Sequence, residues 1–237
     1  MNPSEWTGPT GNNTYFFVGA PSILIDAGVG HPEHLASLAG ALDGAALDLV
    51  LLTHGHKDHA AGVPALLERW PHARVRGAGG EPLHHGDVFE NSDVRLSAVH
   101  TPGHAPDHFC FVDTRRGDVF CGDLARAGGT IVIPASKGGN LRAYLDSLRL
   151  IRAMHPPRLF PAHGPPIEQP AALLDTYLAH RAERERQIRV ALAAGCATSD
   201  EIVARIYPRL SAGLIPAARE SVLAHLEKIR DDDAATS

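Results

Sequence analysis

Thr53-His54-Gly55-His56-Lys57-Asp58-His59 sets three imidazoles and a carboxylate directly behind the apolar stretch Leu47-Asp48-Leu49-Val50-Leu51-Leu52. An apolar run of this length, leading into a glycine and then Ala60, Ala61, Gly62, Val63, Leu66 and Leu67, predicts a buried strand, a turn and a helix. The polar residues therefore belong at the C-terminal mouth of a strand, where loops build sites. Alternate side chains of an extended segment share a side, so His54 and His56 project together, whereas Asp58 and His59 lie past the turn and point elsewhere. One metal does not comfortably hold all four. The spacing asks for two metals side by side, one on His54 and His56, the other on Asp58 and His59. With 15 histidines in 237 residues a histidine-rich solvated turn is the plain alternative; the position after a buried strand argues against it.

Working outward, the composition is that of an ordinary enzyme-sized chain. At 237 residues and 44% hydrophobic it can bury a sizeable core, one large domain plus a small appendage. A formal charge of −5 argues against bulk attraction to nucleic acid or membrane, though not against a local basic groove. Met1-Asn2-Pro3-Ser4-Glu5-Trp6 has neither a basic nor an apolar leader region, and no later stretch is apolar enough to span a bilayer, so a cytoplasmic location and no membrane partner are expected. Monomer and homodimer both stay open. Cys110, Cys121 and Cys196 show no C-x-x-C spacing. Pairing Phe109–Asp113 with Asp118–Gly122 puts Cys110 opposite Cys121, and two buried thiols are expected there rather than a disulfide.

Thr14–Val18 and Ile23–Asp26 read as an opening hairpin, Glu33 to Leu42 as a helix, and a further helix should continue through Leu67. Short strands are expected near Ala73–Arg76, Val94–Val99, His108–Asp113, Val119–Cys121 and Arg158–Phe160. Leu141, Tyr144, Leu145, Leu148 and Ile151 recur at helical spacing, giving an amphipathic helix from about Asn140 to Met154. Leu173 to Val190 is a long charged helix. A capping pattern at Thr198-Ser199-Asp200-Glu201 and a last helix from Ala217 to Ile229 follow, with Asp231-Asp232-Asp233 as an acidic tail. From Arg181 to Arg230 there are nine Arg or Lys against six Asp or Glu. That mildly basic module reads either as a cap narrowing the cleft or as a nucleic-acid contact.

The His-x-His-x-Asp-His pattern resembles the metallo-β-lactamase-fold hydrolases. The remaining ligand motifs of that family are present: His104 in His100-Thr101-Pro102-Gly103-His104, Asp123 in Phe120-Cys121-Gly122-Asp123, and His163 in Phe160-Pro161-Ala162-His163-Gly164. The resemblance implies an α/β fold, the αββα sandwich of the family, over residues 1–175, with a winged-helix-like helical domain over 176–237. It implies that His104 joins His54 and His56 on the first metal, that His163 joins Asp58 and His59 on the second, and that Asp123 bridges them. Ala162 stands where many relatives carry Gly. Imidazole and carboxylate donors suit two Zn²⁺ per chain, with Fe or Mn able to occupy the same shell. Water shared between two dications ionises near neutral pH, and the bridging hydroxide is the expected nucleophile, with Asp58 orienting it as the catalytic carboxylate.

The C-terminal residues His180-Arg181, Arg184-Glu185-Arg186-Gln187-Ile188, Glu201-Ile202-Val203 and His225-Leu226-Glu227-Lys228 narrow the resemblance to the β-lactamase-like-protein-two branch, which includes a single-strand endoribonuclease. That branch implies phosphodiester hydrolysis of single-stranded RNA. The alternative is a thioester or ester hydrolase of the hydroxyacylglutathione-hydrolase kind, using the same ligands on a carbonyl. Asp123 as an acidic bridge argues against a true β-lactamase. The segment Ala127 to Asn140 should wall the cleft, with Ser136 and Lys137 either meeting an anionic group of the substrate or forming a solvated turn. His100 and His108 are candidates to support the ligands; His84 and His85, and likewise His31, His34, His72, His155, His180 and His225, read as ordinary polar residues.

Overall fold

The computed structural model describes residues 11–235; the opening Met1–Trp6 segment read above lies outside the described residues. Two sheets form the centre. The first holds β1 (Tyr15–Phe17), β2 (Ile23–Ile25), β3 (Leu49–Leu51) and β4 (Arg74–Arg76) in that order, antiparallel at the opening hairpin and parallel from β2 onward. The second holds β5 (Val88–Glu90), β6 (Arg95–His100), β7 (Phe109–Asp113), β8 (Val119–Gly122) and β9 (Leu159–Pro161), antiparallel through β8 and closed by the parallel pair β8–β9.

Strand alternation sorts the core into layers. Ile23, Ile25 and Leu51 face Leu96, Ala98, Phe109 and Phe111 between the sheets. Their neighbours Leu24 and Val50 point outward, onto α1 (Pro32–Leu42) and the helix after the ligand motif. On the other side Cys110, Val119 and Leu159 pack under α4 (Leu141–Ala153) and the start of α5 (Pro170–Ala193). The order helix, sheet, sheet, helix is the expected αββα sandwich. Asn140 caps α4 by accepting from the Ala143 amide at 2.9 Å. Three-residue β5 escapes a sequence reading because only Phe89 is buried in it.

Two helices depart from expectation. The helix after the ligand motif is broken into α2 (Lys57–Ala60) and α3 (Val63–Arg69) at Ala61-Gly62. Gly62 donates to Gly28 O at 2.8 Å, and a Cβ there would sit 2.2 Å from Ala27 O, so the chain presses flat against the loop after β2. The acidic tail is helix: after α6 (Ser199–Ile206), α7 runs from Ile215 to Ala235. Lys228 holds Asp232 at 2.7 Å and Glu185 at 2.9 Å, Arg142 pairs with Asp232, and Arg189 meets Asp233 at 3.2 Å. These partners neutralise the carboxylates that a sequence reading leaves solvated.

Ile188 and Ala191 of α5 join Ile202, Val222 and Ile229 in a second small core, while Leu174 and Tyr177 of the same helix, with Ala224 of α7, belong to the main one. The boundary expected at residue 175 thus falls inside α5. Among the described residues no strand follows Thr198 and no helix is long and apolar enough to cross a membrane. Cys110 and Cys121 lie on adjacent strands as free buried thiols, and burial pushes Cys110 up to about 12.

Candidate metal centre and active site

β6 is antiparallel to β7 and β7 to β8, so β6, β8 and β9 all end at one edge, as β2 and β3 do in the facing sheet. Every expected ligand follows one of these ends. His54 and His56 come after β3, His104 after β6, Asp123 after β8, His163 after β9, and Asp58 and His59 begin α2.

The donor atoms converge. His54 Nε2 and His104 Nε2 each lie 2.9 Å from His56 Nδ1, so one apex is aimed at by three nitrogens. His104 donates from Nδ1 to Val132 O at 2.8 Å, which turns its Nε2 toward the other two rings. A second triad brings Asp58, His59 and His163 together; His163 Nε2 is 3.4 Å and His59 Nε2 3.6 Å from Asp58 Oδ2. Asp123 lies between the two, with Oδ2 3.4 Å from His104 Nε2 and 3.6 Å from His59 Nε2, and Oδ1 3.2 Å from His163 Nε2.

His59 Nε2 and Asp123 Oδ1 are buried without a hydrogen-bond partner. Orphaned polar atoms of this kind cost free energy unless a cation satisfies them, and an imidazole-rich set with a minority of carboxylate suits a borderline divalent ion. The residues present therefore fit the expected metals.

The local charges agree. Burial alone raises Asp58, but His163, His59 and the amide of Asn12 outweigh it and hold the carboxyl at about 2. Asp123 is likewise driven well below the carboxylate range: burial opposes its ionisation, and His59, His163 and His104 prevail. His163 is raised to about 9, its burial overcome by Asp123 and Asp58. His54 is pushed well down, by burial first and then by the charge of His59.

Two supports lie behind the ligands. The sequence reading offered His108: fully buried, it accepts the Asp123 N–H at Nε2 (3.1 Å) and donates from Nδ1 to Thr101 Oγ1 (2.9 Å). Burial and the neighbouring His104 hold it neutral down to about pH 3. His100 instead contacts Pro106 O at 2.9 Å and steadies the loop. Sequence reasoning missed Asp26, which it took for a hairpin end. Its buried carboxylate accepts the Thr53 amide at 2.8 Å, the Thr53 hydroxyl at 3.0 Å and His59 Nδ1–H at 2.8 Å. Asp26 reaches this position with φ of 61°. The signal was available in Asp26-Ala27-Gly28, a carboxylate in a turn straight after an apolar strand.

In front of the ligands opens a cavity of about 740 Å³. His56, Asp58, His104, Asp123 and His163 form its floor, Ile131, Val132 and Pro134 one wall, and Tyr207, Leu210, Leu214, Ala217 and Ala218 the other. Lys57 and Lys137 put exposed ammonium groups on its rim. Ser136 does not line it; its amide and hydroxyl bind Glu220 of α7 at 2.9 and 2.8 Å. Arg181 is buried at the middle of α5, bonded to Thr130 Oγ1 and Ile131 O and stacked over Tyr144, which fixes the Ile131 wall. His225, read as an ordinary polar residue, is fully buried in α7 with neither ring nitrogen hydrogen-bonded.

Residues 7–86 and 75–163 match the metallo-beta-lactamase superfamily, and residues 198–237 the beta-lactamase associated winged helix domain. The chain is 36% identical over 197 residues to lactamase-like protein ptaB of Pestalotiopsis fici, across 79% of this chain and 61% of that one. It is 34% identical over 187 residues to the atrochrysone carboxyl ACP thioesterase of Aspergillus fumigatus, across 75% and 43%. The chain thus spans less than two thirds of both. To the beta-lactamase-like protein 2 homolog of Drosophila melanogaster it is 32% identical over 257 residues, across 98% and 86%. The crystal structure of a beta-lactamase domain protein from Burkholderia ambifaria superposes with a TM-score of 0.84 at 21% identity, across 94% and 82%, a likeness of fold.

Proposed function

The chain belongs to the metallo-β-lactamase superfamily and carries the winged helix domain associated with it, and from that premise we propose that it is a hydrolase of thioesters or esters. The observation that carries this reading is the cavity wall. Beside the candidate ligands lie Ile131, Val132, Tyr207, Leu210 and Leu214, apolar groups that suit an acyl chain, with the lining's cations confined to Lys57, Arg126 and Lys137. Several cations of the C-terminal module are engaged, Arg219 with Asp200 at 2.6 Å, Lys228 with Glu185 and Asp232, Arg230 with Asp231, while exposed Arg205 and Arg209 do not line the cavity. This reverses the order in which the sequence alone ranks the two chemistries.

His54, His56 and His104 would hold one divalent ion, Asp58, His59 and His163 a second, with Asp123 shared; two zinc ions are our assignment. Bound there, the ions supply Lewis acidity and lower the pKa of water. Asp58, ionised at any pH above about 2, accepts a hydrogen bond from the attacking water and turns its lone pair toward the carbonyl carbon. Asn12 fixes Asp58 for this by donating to its Oδ2 at 3.2 Å and its main-chain oxygen at 2.9 Å. The apolar walls offer water no partner, and Lys137 at the rim would meet an anionic group on the thiol or alcohol portion. The thioesterase named among the relatives is consistent with carbonyl chemistry on this scaffold.

A paired assay on the zinc-loaded protein tests the reading. Acyl thioester cleavage abolished by Asp58→Ala, with single-stranded RNA left intact, is the expected result. RNA cleavage that falls as salt rises, with thioesters untouched, would overturn it.

A further inference from the structure

The wall opposite Ile131 and Val132 is built by one short stretch of chain, the connection from α6 to α7 and the first turns of α7. Tyr207, Leu210 and Leu214 supply bulk. Ala217, Ala218 and Ser221, where α7 passes over the cavity, supply only a methyl, a methyl and a hydroxymethyl group. Small side chains on a helix roofing a cavity leave depth. At about 740 Å³ the space falls within the roughly 300–1,000 Å³ that houses ligands of drug size, far more than a lactoyl group fills.

Leu214, although part of this wall, is 38% exposed, and its neighbour Ile215 is 37% exposed. Apolar surface left open at the mouth of a cavity is surface that an apolar ligand would cover. The roof is also fastened rather than loosely apposed. Glu220 binds Ser136, which sits behind the opposite wall between Pro134 and Lys137, and Arg142 of α4 binds Asp232 further along α7.

We infer that the α6–α7 connection and the first turns of α7 form the acyl-specificity wall, and that the substrate is a thioester or ester with a long or bulky apolar acyl group, not a short polar one. The inference rests on the hydrolase reading for the identity of the reacting bond, and on the wall alone for the size and polarity of the acyl group. Tyr207, Leu214 and Ala217 are specificity residues; none reaches the reacting atoms in its own right.

The test separates binding from turnover. Non-hydrolysable ketone analogues of acetyl, butyryl, hexanoyl and octanoyl thioesters of one thiol are titrated calorimetrically into the zinc-loaded protein. Burial of each methylene should tighten binding about fourfold until the pocket is full, with a heat-capacity change that grows more negative along the series. Ala217→Phe should move the tightest binder to a shorter chain. Leu214→Ala should weaken the octanoyl analogue about tenfold, and both variants should melt close to the parent because both positions are partly exposed. A dissociation constant flat from acetyl to octanoyl, or a series that Ala217→Phe leaves unchanged, overturns the inference. The matching thioesters are scored for hydrolysis in parallel. Graded binding without turnover upholds the wall and removes the hydrolase reading; brisk turnover with flat binding upholds the hydrolase and removes the wall.

Discussion

Asp26→Asn changes one oxygen to an amide nitrogen at the carboxylate that sets His59, and its consequence can be worked through atom by atom. In the parent, Oδ1 accepts the Thr53 amide and hydroxyl at 2.8 and 3.0 Å, while Oδ2 accepts His59 Nδ1–H at 2.8 Å. The asparagine keeps its oxygen toward Thr53, where two donors hold it, and so presents NH₂ to His59. Two buried donors then oppose each other unless the imidazole moves its proton from Nδ1 to Nε2. Nε2 is the atom facing Asp58 and Asp123, and once protonated it cannot bind a metal. Asn tolerates the left-handed φ of 61° that Asp26 adopts, so the substitution tests the hydrogen bond and the charge without added backbone strain. Loss of a charge-assisted bond should cost about 1.5–3 kcal/mol of folding free energy. Loss of the group that orients a ligand should weaken the second metal about 10–100-fold, with the His54, His56 and His104 site spared. Chelator competition with elemental analysis measures the occupancies, and ¹⁵N shifts of the His59 ring report the tautomer. Wild-type affinity for both ions, with Nδ1 still carrying the proton, would refute the argument.

Two further outcomes follow from packing. Gly103 carries φ of 137°, and a Cβ there would come within 2.3 Å of the Tyr144 backbone; Gly103→Ala should cost about 1–3 kcal/mol and pull His104 out of the first triad, visible as a lower melting temperature and a lost ion. His225 is held near 3 by burial first and then by Arg181, Arg184 and Lys228, below its ordinary 6.5. Its neutral form is the one the fold accepts, so its stability contribution is intact above about pH 6.5 and declines as pH falls toward 3; relative to His225→Leu, the parent should lose about 2 kcal/mol by pH 5 in urea melts.

The His/Asp clusters able to hold a metal could be picked out because each member combines two independent signals, a metal-binding residue type and a position just after an apolar strand. The strand edge that gathers His54, His104, Asp123 and His163 follows from those signals without any knowledge of contacts. Asp26 carried the same positional signal but no histidine neighbour in sequence; its partners Thr53 and His59 lie 27 and 33 residues away. The helical run of Asp231 to Asp233 was illegible for a related reason, since Arg142 and Arg189, which neutralise it, come from α4 and α5. His225 looked polar because sequence assigns exposure by residue type, whereas two packed helices removed it from water. For Ser136 the sequence leaves an anion contact and a solvated turn equally open, and its hydroxyl binds Glu220, 84 residues on.

The C-terminal module is where these non-local contacts concentrate, and they change what that module is for. A basic helical appendage read in isolation suggests a surface that captures a polyanion. In the fold Arg219, Lys228 and Arg230 are paired with Asp200, Glu185, Asp231 and Asp232, and the module's apolar face is turned inward, over the cavity floor. Ala224 packs with Tyr144 and Leu145 in the main core, so α7 belongs to the sandwich as much as to the appendage. A roof tied in this way cannot be exchanged without altering the sandwich beneath it, while Leu214 of its connecting loop, exposed and outside both cores, can vary without touching either; Leu210 also packs on the small core. Differences in substrate among proteins that share these seven ligands should therefore be sought in that loop and in the first turn of α7, before they are sought around the metals.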